Sequence, residues 1–274
     1  MTADPAPLRP PLRADELAAL PGWAVEVVAA SPSTNADLAA RARAGAPART
    51  VLAAEHQTAG RGRVDRVFVT PDRAALTFSV LLRPGAPAAA WPWLPLLAGI
   101  AVRRGVARRH PGLRVGLKWP NDVLVAADGP PSGKVCGILA ERVESADGPA
   151  AVLGIGLNVS TTRAELPVPT AESLATAGVP AGELDRTALL VAVLDELDRG
   201  LERWEAGDLT GLRADYTSVC DTVGRAVRVE LPQDRTLHGT AVDVDPGGGL
   251  VVEGPGGRTV VGAGDVVHVR RADA

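Results

Sequence analysis

The sequence predicts an α+β protein: a mixed β-sheet packed with helices, followed by a small C-terminal β-barrel. Three observations carry this. Before residue 220 the strand-like runs are short and mostly separated by loops, which favours a mixed sheet over a doubly wound one. Leu190, Leu194, Leu197, Leu201 and Trp204 recur at spacings of three and four, the period of a buried helix face. After Cys220 the texture changes. "GRAVRVEL", "TLHGTAVDVD", "GLVVEG" and "RTVVGAGDVVHVR" alternate short apolar runs with glycine turns, as small all-β units do. The expected organisation is a flexible segment over 1–24, a ligand-binding domain over 25–220 and the barrel over 221–274.

Each element follows in order. Residues 1–22 are rich in Pro and Ala and are expected to be loosely held. In "SPSTNADLAARARAG", Ser33, Thr34 and Asn35 precede Leu38, and Gly45 closes the run, which reads as a capped helix with a glycine stop. "TVLAAEHQ" and "AALTFSVLLR" read as strands on either side of an arginine-rich loop. From Trp91 to His110 the pattern is helical, interrupted early by Pro92 and Pro95. "RVGLKW", "KVCGILAERVE" and "AAVLGIGLNVS" read as three more strands, and helix returns over 184–205. No repeat at solenoid periods is present.

Composition narrows the function. The chain of 274 residues is 46% hydrophobic, but no run of eighteen apolar residues is free of charge or proline. The first residues lack the apolar core of a signal peptide, and the only two cysteines, Cys136 and Cys220, stand far apart. A cytoplasmic protein without a membrane role and without a structural metal site is therefore expected. A net charge of −3 argues against nucleic acid as the main partner.

Several short stretches carry chemistry. Gly60-Arg61-Gly62-Arg63, with Arg66, gathers cations where the backbone is least restricted. Glycines allow close approach, and arginines fork onto carboxylate and phosphate oxygens. Taken alone, the same stretch also reads as a solvated turn. Lys118-Trp119-Pro120-Asn121-Asp122 makes a rigid corner at a strand end, able to aim Lys118 at phosphate and Asn121 at a polar group. Its alternative is an ordinary Asn-Asp turn. Lys134, between Gly133 and Gly137, either points into a cleft or ends a strand in solvent. Gly154 and Gly156 weaken a buried strand unless something comes close, such as a flat ligand ring read by Asn158; the alternative is a bulge or a tight contact between sheet and helix. Ser33, Thr34 and Asn35 cap a helix or line a pocket for ureido or amide groups.

Taken in order, "STN" at 33–35, "GRGRVDR" at 60–66, "KWPND" at 118–122, "GKVCGILAE" at 133–141 and "GIGLN" at 154–158 resemble the biotin protein ligases. The resemblance is strong over roughly residues 30–160, extends to the β-rich tail, and is more specific than any single motif. It implies the biotin–lipoate ligase catalytic fold, related to class II synthetases, in the short form without an N-terminal DNA-binding domain. It also implies the reaction: biotin attacks ATP to give biotinyl-5′-AMP, which a lysine of a biotin carboxyl carrier domain of acetyl-CoA or a related acyl-CoA carboxylase then accepts. Magnesium would accompany ATP, with Asp122 the one candidate metal ligand.

By resemblance, Ser33, Thr34, Asn35, Gln57, Gly60, Arg61, Gly62, Gly137 and Gly154 line the biotin site. Arg63 and Lys134 meet the carboxylate and α-phosphate and are the catalytic pair; Arg66, Phe68, Lys118, Asn121 and Asn158 serve ATP. Two positions depart from the family. Phe68 stands where a tryptophan is usual, keeping an aromatic face of smaller area, and Asp65 stands where a glycine is common. Only about 30 residues precede Ser33, so no specific DNA binding is expected, and the expected assembly is a monomer or weak homodimer. A lipoate-type transferase would not need the arginine loop. A nucleic-acid binder would need a basic tail, and 221–274 mixes its arginines with Asp221, Glu230, Asp243 and Asp245.

Overall fold

The computed structural model describes residues 9–63, 67–231, 235–262 and 265–268. A seven-stranded sheet is built from β1 (Ala24–Ser31), β2 (Thr50–Gln57), β3 (Ala75–Leu82), β4 (Arg114–Lys118), β5 (Asp122–Ala126), β6 (Gly133–Val143) and β7 (Ala150–Asn158). Its order is β1-β2-β3-β7-β6-β5-β4. The first pair is parallel and the others antiparallel, so the sheet is mixed, as expected.

The period of two along β7 explains how the layers form. Ala151, Leu153, Ile155 and Leu157 face the main core, together with residues of α3 (Leu94–Arg109) and α4 (Arg186–Glu205). Ala150 and Val152 face the other way, onto Leu38, Ala39 and Ala42 of α2 (Thr34–Arg43). Further along that second face the residues become small. Gly137 pairs with Gly156, Leu139 with Gly154, and Gly154 and Gly156 with Ser79 and Thr77. Helix α2 covers one end of this face, and the small-residue end is the floor of a cleft.

Four features differ from expectation. β1 is absent from the expected strands: it is a half-exposed edge in which Val25, Val27 and Val28 stand among alanines and Glu26 without regular alternation. β5 is only five residues long and merges in sequence with the Asn121–Asp122 turn. Helix α5 (Leu209–Thr217) contains Gly211, but Asp208 caps it by accepting from the Gly211 amide at 3.0 Å. The fourth is the N-terminal segment, expected to be flexible to residue 24. From residue 9 onward it is docked. Leu12 and Leu17, the latter on the one-turn helix α1 (Ala14–Ala18), are buried. The Leu12 amide donates to Glu55 Oε1 at 2.6 Å, and Arg186 donates to both Pro10 O and Glu55 Oε2. Two leucines and three polar anchors outweigh a Pro/Ala-rich composition.

The C-terminal unit is the expected all-β unit. It is an antiparallel sheet of β8 (Ala226–Leu231), β9 (Arg235–Val244), β10 (Leu250–Gly254), β11 (Gly257–Val261) and β12 (Asp265–His268), ordered β11-β10-β9-β8-β12. A ladder joining β11 to β12 is not among the described residues. Trp119 ties the unit to the first sheet: its amide donates to Thr222 Oγ1 at 3.1 Å and its indole to Gly248 O at 2.9 Å. Trp93 donates its indole to Pro246 O at 2.7 Å.

Candidate active site

One cleft of about 1330 Å³ lies over the small-residue floor. Ser33, Thr34, Asn35, Gln57, Arg61, Gly62, Arg63, Phe68, Lys118, Asn121, Asp122, Lys134, Gly137, Gly154 and Asn158 all line it. Gly60 lines an adjoining cavity of about 620 Å³ behind the arginine segment, which Arg61, Gly62 and Arg63 share. Arg66 and Asp65 lie outside the described residues.

The wall at the N-terminus of α2 is a hydrogen-bonded chain. Ser33 caps the helix by accepting from the Ala36 amide at 3.4 Å. The Thr34 amide and hydroxyl both donate to Gln57 Oε1, at 2.8 and 3.1 Å. Thr34 Oγ1 lies 2.7 Å from Ser79 Oγ, which donates to Asn35 Oδ1 at 2.6 Å. Asn35 Nδ2 donates to Leu139 O and Glu141 Oε2. Both amide hydrogens of Asn35 are therefore spent on the protein. Asn35 shapes the wall, and Thr34 and Gln57, both buried, line the cleft beside it.

Of the two readings of the floor glycines, close packing of the protein against itself is the one seen, a sheet-on-helix contact in the case of Gly154. A methyl on Gly154 would overlap the Asn35 carboxamide, and one on Gly156 would lie 2.7 Å from the Phe68 ring. A methyl on Gly137 would meet Lys134 Nζ at 3.4 Å. What approaches these backbones is the protein's own side chains, which then line the cleft.

The two described sides of the arginine segment are bridged: the Phe68 amide donates to Gly60 O at 2.8 Å, and Arg61 pairs with Val67. Gly60 is required there, since a methyl would overlap the Phe68 carbonyl. Arg61 forms an ion pair with Glu141. Arg63 donates to Asn121 Oδ1 at 3.1 Å, and Asn121 donates onward to Ile138 O at 2.8 Å. Asn121 thereby links "KWPND" to "GRGR".

The far end of the cleft concentrates charge. Lys134 Nζ stands 2.5 Å from Asp122 Oδ1 in an ion pair, and Lys118, Arg225 and His268 line the same end. Burial, then the cations Lys118 and Arg225, push the His268 imidazole down to about 4, so it is neutral at pH 7. Asn158 Nδ2 donates to Glu172 O at 2.9 Å. It steadies the segment whose backbone pairs with Lys134 through Thr170 O and the Glu172 amide. Burial pushes the Cys136 thiol up to about 12, which rules it out as a nucleophile. Among the described residues no three His, Cys, Asp or Glu side chains group to hold a metal. Asp122 is one carboxylate, already paired with Lys134. These residues do not fit a dedicated magnesium site.

The biotin/lipoate A/B protein ligase family matches residues 27–158, and the biotin protein ligase C-terminal domain matches residues 222–269. The chain is 44% identical over 273 residues to the biotin–[acetyl-CoA-carboxylase] ligase of Mycobacterium tuberculosis, covering 96% of this chain and 98% of that one. The chain belongs to the biotin protein ligase family. Another ligase of the family, from Paracoccus denitrificans, is 31% identical, with 88% of this chain and 98% of that one covered. Among solved structures, the biotin protein ligase of Aquifex aeolicus in complex with biotin and ATP superposes with a TM-score of 0.75. It is 26% identical, covering 90% of this chain and 98% of that one.

In this biotin protein ligase, sequence reasoning left unassigned Glu141, which lines the adjoining cavity, and several residues of the cleft itself. Glu141 stands within the quoted "GKVCGILAE", and its spacing of two from Leu139 and four from Gly137 already placed it on the floor's face. Gly224, Arg225, Ala226, Thr240 and His268 come from the second sheet. Nothing in their local pattern marks them, because only the joint at Trp119 brings them to the cleft.

Proposed function

We propose that this chain activates biotin with ATP and transfers the biotinyl group to a lysine of a biotin carboxyl carrier domain of an acyl-CoA carboxylase. In the first step a carboxylate oxygen of biotin attacks the α-phosphorus. The bond to the bridging β-oxygen breaks, and pyrophosphate leaves. In the second, a neutral lysine amine attacks the acyl carbon, AMP leaves, and the amine loses a proton. One observation carries the reading: a single cleft gathers all five motifs, with a hydrogen-bonding wall at one end and cations at the other.

The residues divide along that axis. Thr34 and Gln57, backed by Ser33, Asn35 and Gly154, receive the polar head of biotin, with Gly60, Arg61, Gly62 and Gly137 around it. Arg63 and Lys134 lie where the biotin carboxylate meets the α-phosphate. They offset the repulsion between two anions and stabilise the charge that develops on the phosphoryl oxygens. Asn121 holds Arg63, and Asp122 holds Lys134. Phe68, Lys118 and Asn158, with Arg66, serve the nucleotide. Magnesium arrives as the counter-ion of ATP. The anhydride is prone to hydrolysis, so a site that excludes water protects it. The residues divide as a catalytic domain over 25–220 and a tail unit over 221–274. The chain works in the cytoplasm as a monomer or weak homodimer, and its net charge of −3 supports the absence of operator binding.

Purified protein, biotin, magnesium-ATP and an acceptor domain are mixed, and the acceptor's mass is followed. A biotin-sized gain on one lysine, reduced at least about 100-fold by Lys134→Ala or Arg63→Ala, is the expected result. Transfer of lipoate in place of biotin, or no pyrophosphate release from folded protein, would sink the reading.

A further inference from the structure

The docked N-terminal segment reaches the wall of the cleft through one side chain. Arg9 Nη2 donates to Glu165 Oε2 at 2.6 Å and to Ser160 O, 151 residues away in sequence, at 3.2 Å. The same Glu165 oxygen accepts from the Thr162 amide and hydroxyl, both at 2.9 Å, and the Glu165 amide donates back to Thr162 O at 3.0 Å. Both partners of the ion pair are largely shielded, their side chains 13% and 29% exposed. Burial alone would raise the Glu165 carboxyl, but Arg9 and Thr162 hold it below the usual range, so the pair stays charged at neutral pH. Just beyond this turn, Pro167, Val168, Thr170 and Ala171 line the cleft. The far end of the stretch is already tied: the Lys134 amide donates to Thr170 O, the Glu172 amide to Lys134 O, and Asn158 Nδ2 to Glu172 O. Arg9 supplies a tie at the near end. Its own base is fixed, since Pro10 O accepts from Arg186 and the Leu12 amide donates to Glu55.

We propose that Arg9 is a positioning residue for the ligase reaction: it braces residues 160–172 over the nucleotide end of the cleft, and so gives the N-terminal segment a share in ATP binding. This rests on the ligase reading above, which puts the nucleotide at Asn158 and its α-phosphate at Lys134, the two residues that tie the far end of the stretch. The brace counts only once nucleotide is bound; without nucleotide the stretch need not keep this position. A cleft wall tied at one end keeps the freedom of the other, and ordering that other end draws on the free energy of nucleotide binding. Arg9 lowers this cost because its segment is anchored to β2 and α4 through Glu55 and Arg186.

The test uses the full chain with Arg9→Ala, Arg9→Lys and Glu165→Gln, followed by biotin-dependent pyrophosphate release and by labelling of the acceptor domain. KM for ATP is expected to rise about tenfold in Arg9→Ala, the scale of one charged hydrogen bond, with smaller rises in Arg9→Lys and Glu165→Gln. KM for biotin and kcat are expected to stay within about twofold, because Arg9 orders the nucleotide end and touches no reacting atom. Arg9→Ala combined with Glu165→Gln should raise KM for ATP no further than Arg9→Ala alone, since both act through one pair. Wild-type KM for ATP in all the variants would overturn the proposal. So would rises that multiply in the double variant, or equal rises in the KM for ATP and for biotin, which would mark a general loosening of the fold. Arg9→Lys and Glu165→Gln stay close to the native side chains in size, so they decide the matter should Arg9→Ala fold poorly. A wild type that neither releases pyrophosphate nor labels the acceptor would instead sink the ligase reading, and the kinetic role of Arg9 with it.

Discussion

Asn35 and Gly154 show how the ligand site is set at the level of single residues. The glycine lacks a side chain because the Asn35 carboxamide occupies the space, and that carboxamide is then held by Ser79, Leu139 and Glu141. Gly154→Ala must displace Asn35 and loosen Thr34 with it. Biotin affinity, read by calorimetric titration, is expected to fall about tenfold or more while the protein stays folded, the scale of one or two disrupted hydrogen bonds. An unchanged affinity would mean that the wall does not contact biotin. The ordered motifs singled out Asn35 and Gly154, and the structure brings both to one cleft. Their division of roles was not legible there. A sequence shows that two glycines make room, but not whether a ligand or the protein's own side chain fills it. Asn35 reads as a ligand group until all its donors are traced.

Among the elements, the docked N-terminal segment deserves the strongest stability prediction. Glu55 and Arg186 are 8% and 5% exposed, and each also bonds a backbone group of the segment, Leu12 N and Pro10 O. Glu55→Ala leaves a buried guanidinium without its partner. The expected loss is about 3 kcal/mol, with a melting temperature lower by roughly 5–10 °C. Thermal unfolding measures it, and a shift below about 2 °C would show the pair to be dispensable. The long periodic helices and the strands holding the motifs were legible because burial on one face imposes a period. β1, β5, α5 and the docked segment were not. β1 is a half-exposed edge, β5 is only five residues, and the segment and α5 are held by side chains outside them: Arg186 for the segment, and Arg203 for Asp208 and Asp215 at α5.

At the scale of the molecule, the change of texture after Cys220 announced a second unit, but nothing in sequence announced that it would wall the cleft. That follows from the joint at Trp119 and from Thr222, whose hydroxyl lies 3.1 Å from His268 Nε2. A pH dependence comes with this arrangement. An unfolded imidazole charges near pH 6.5, whereas folded His268 charges only at about 4, so the unfolded chain takes up the proton first as pH falls. The stability of neutral His268 is complete above about pH 6.5 and is lost between there and about 4, by at most about 3 kcal/mol. Urea titrations at pH 7 and pH 5 should show the fall, and His268→Asn should remove the part that belongs to His268, while that of His110, also held below its ordinary value by burial, remains. Below about pH 4 a second loss follows as carboxylates protonate. Burial alone would raise Asp215, but Arg203 and Arg104 hold it below the usual range. The joint also gives the protein an optical signal of its own. Two of its five tryptophans, Trp93 and Trp119, donate their indoles to the turn at Pro246 and Gly248. With the other three replaced by phenylalanine, a red shift in emission would mark the instant the two sheets part, with no dye attached.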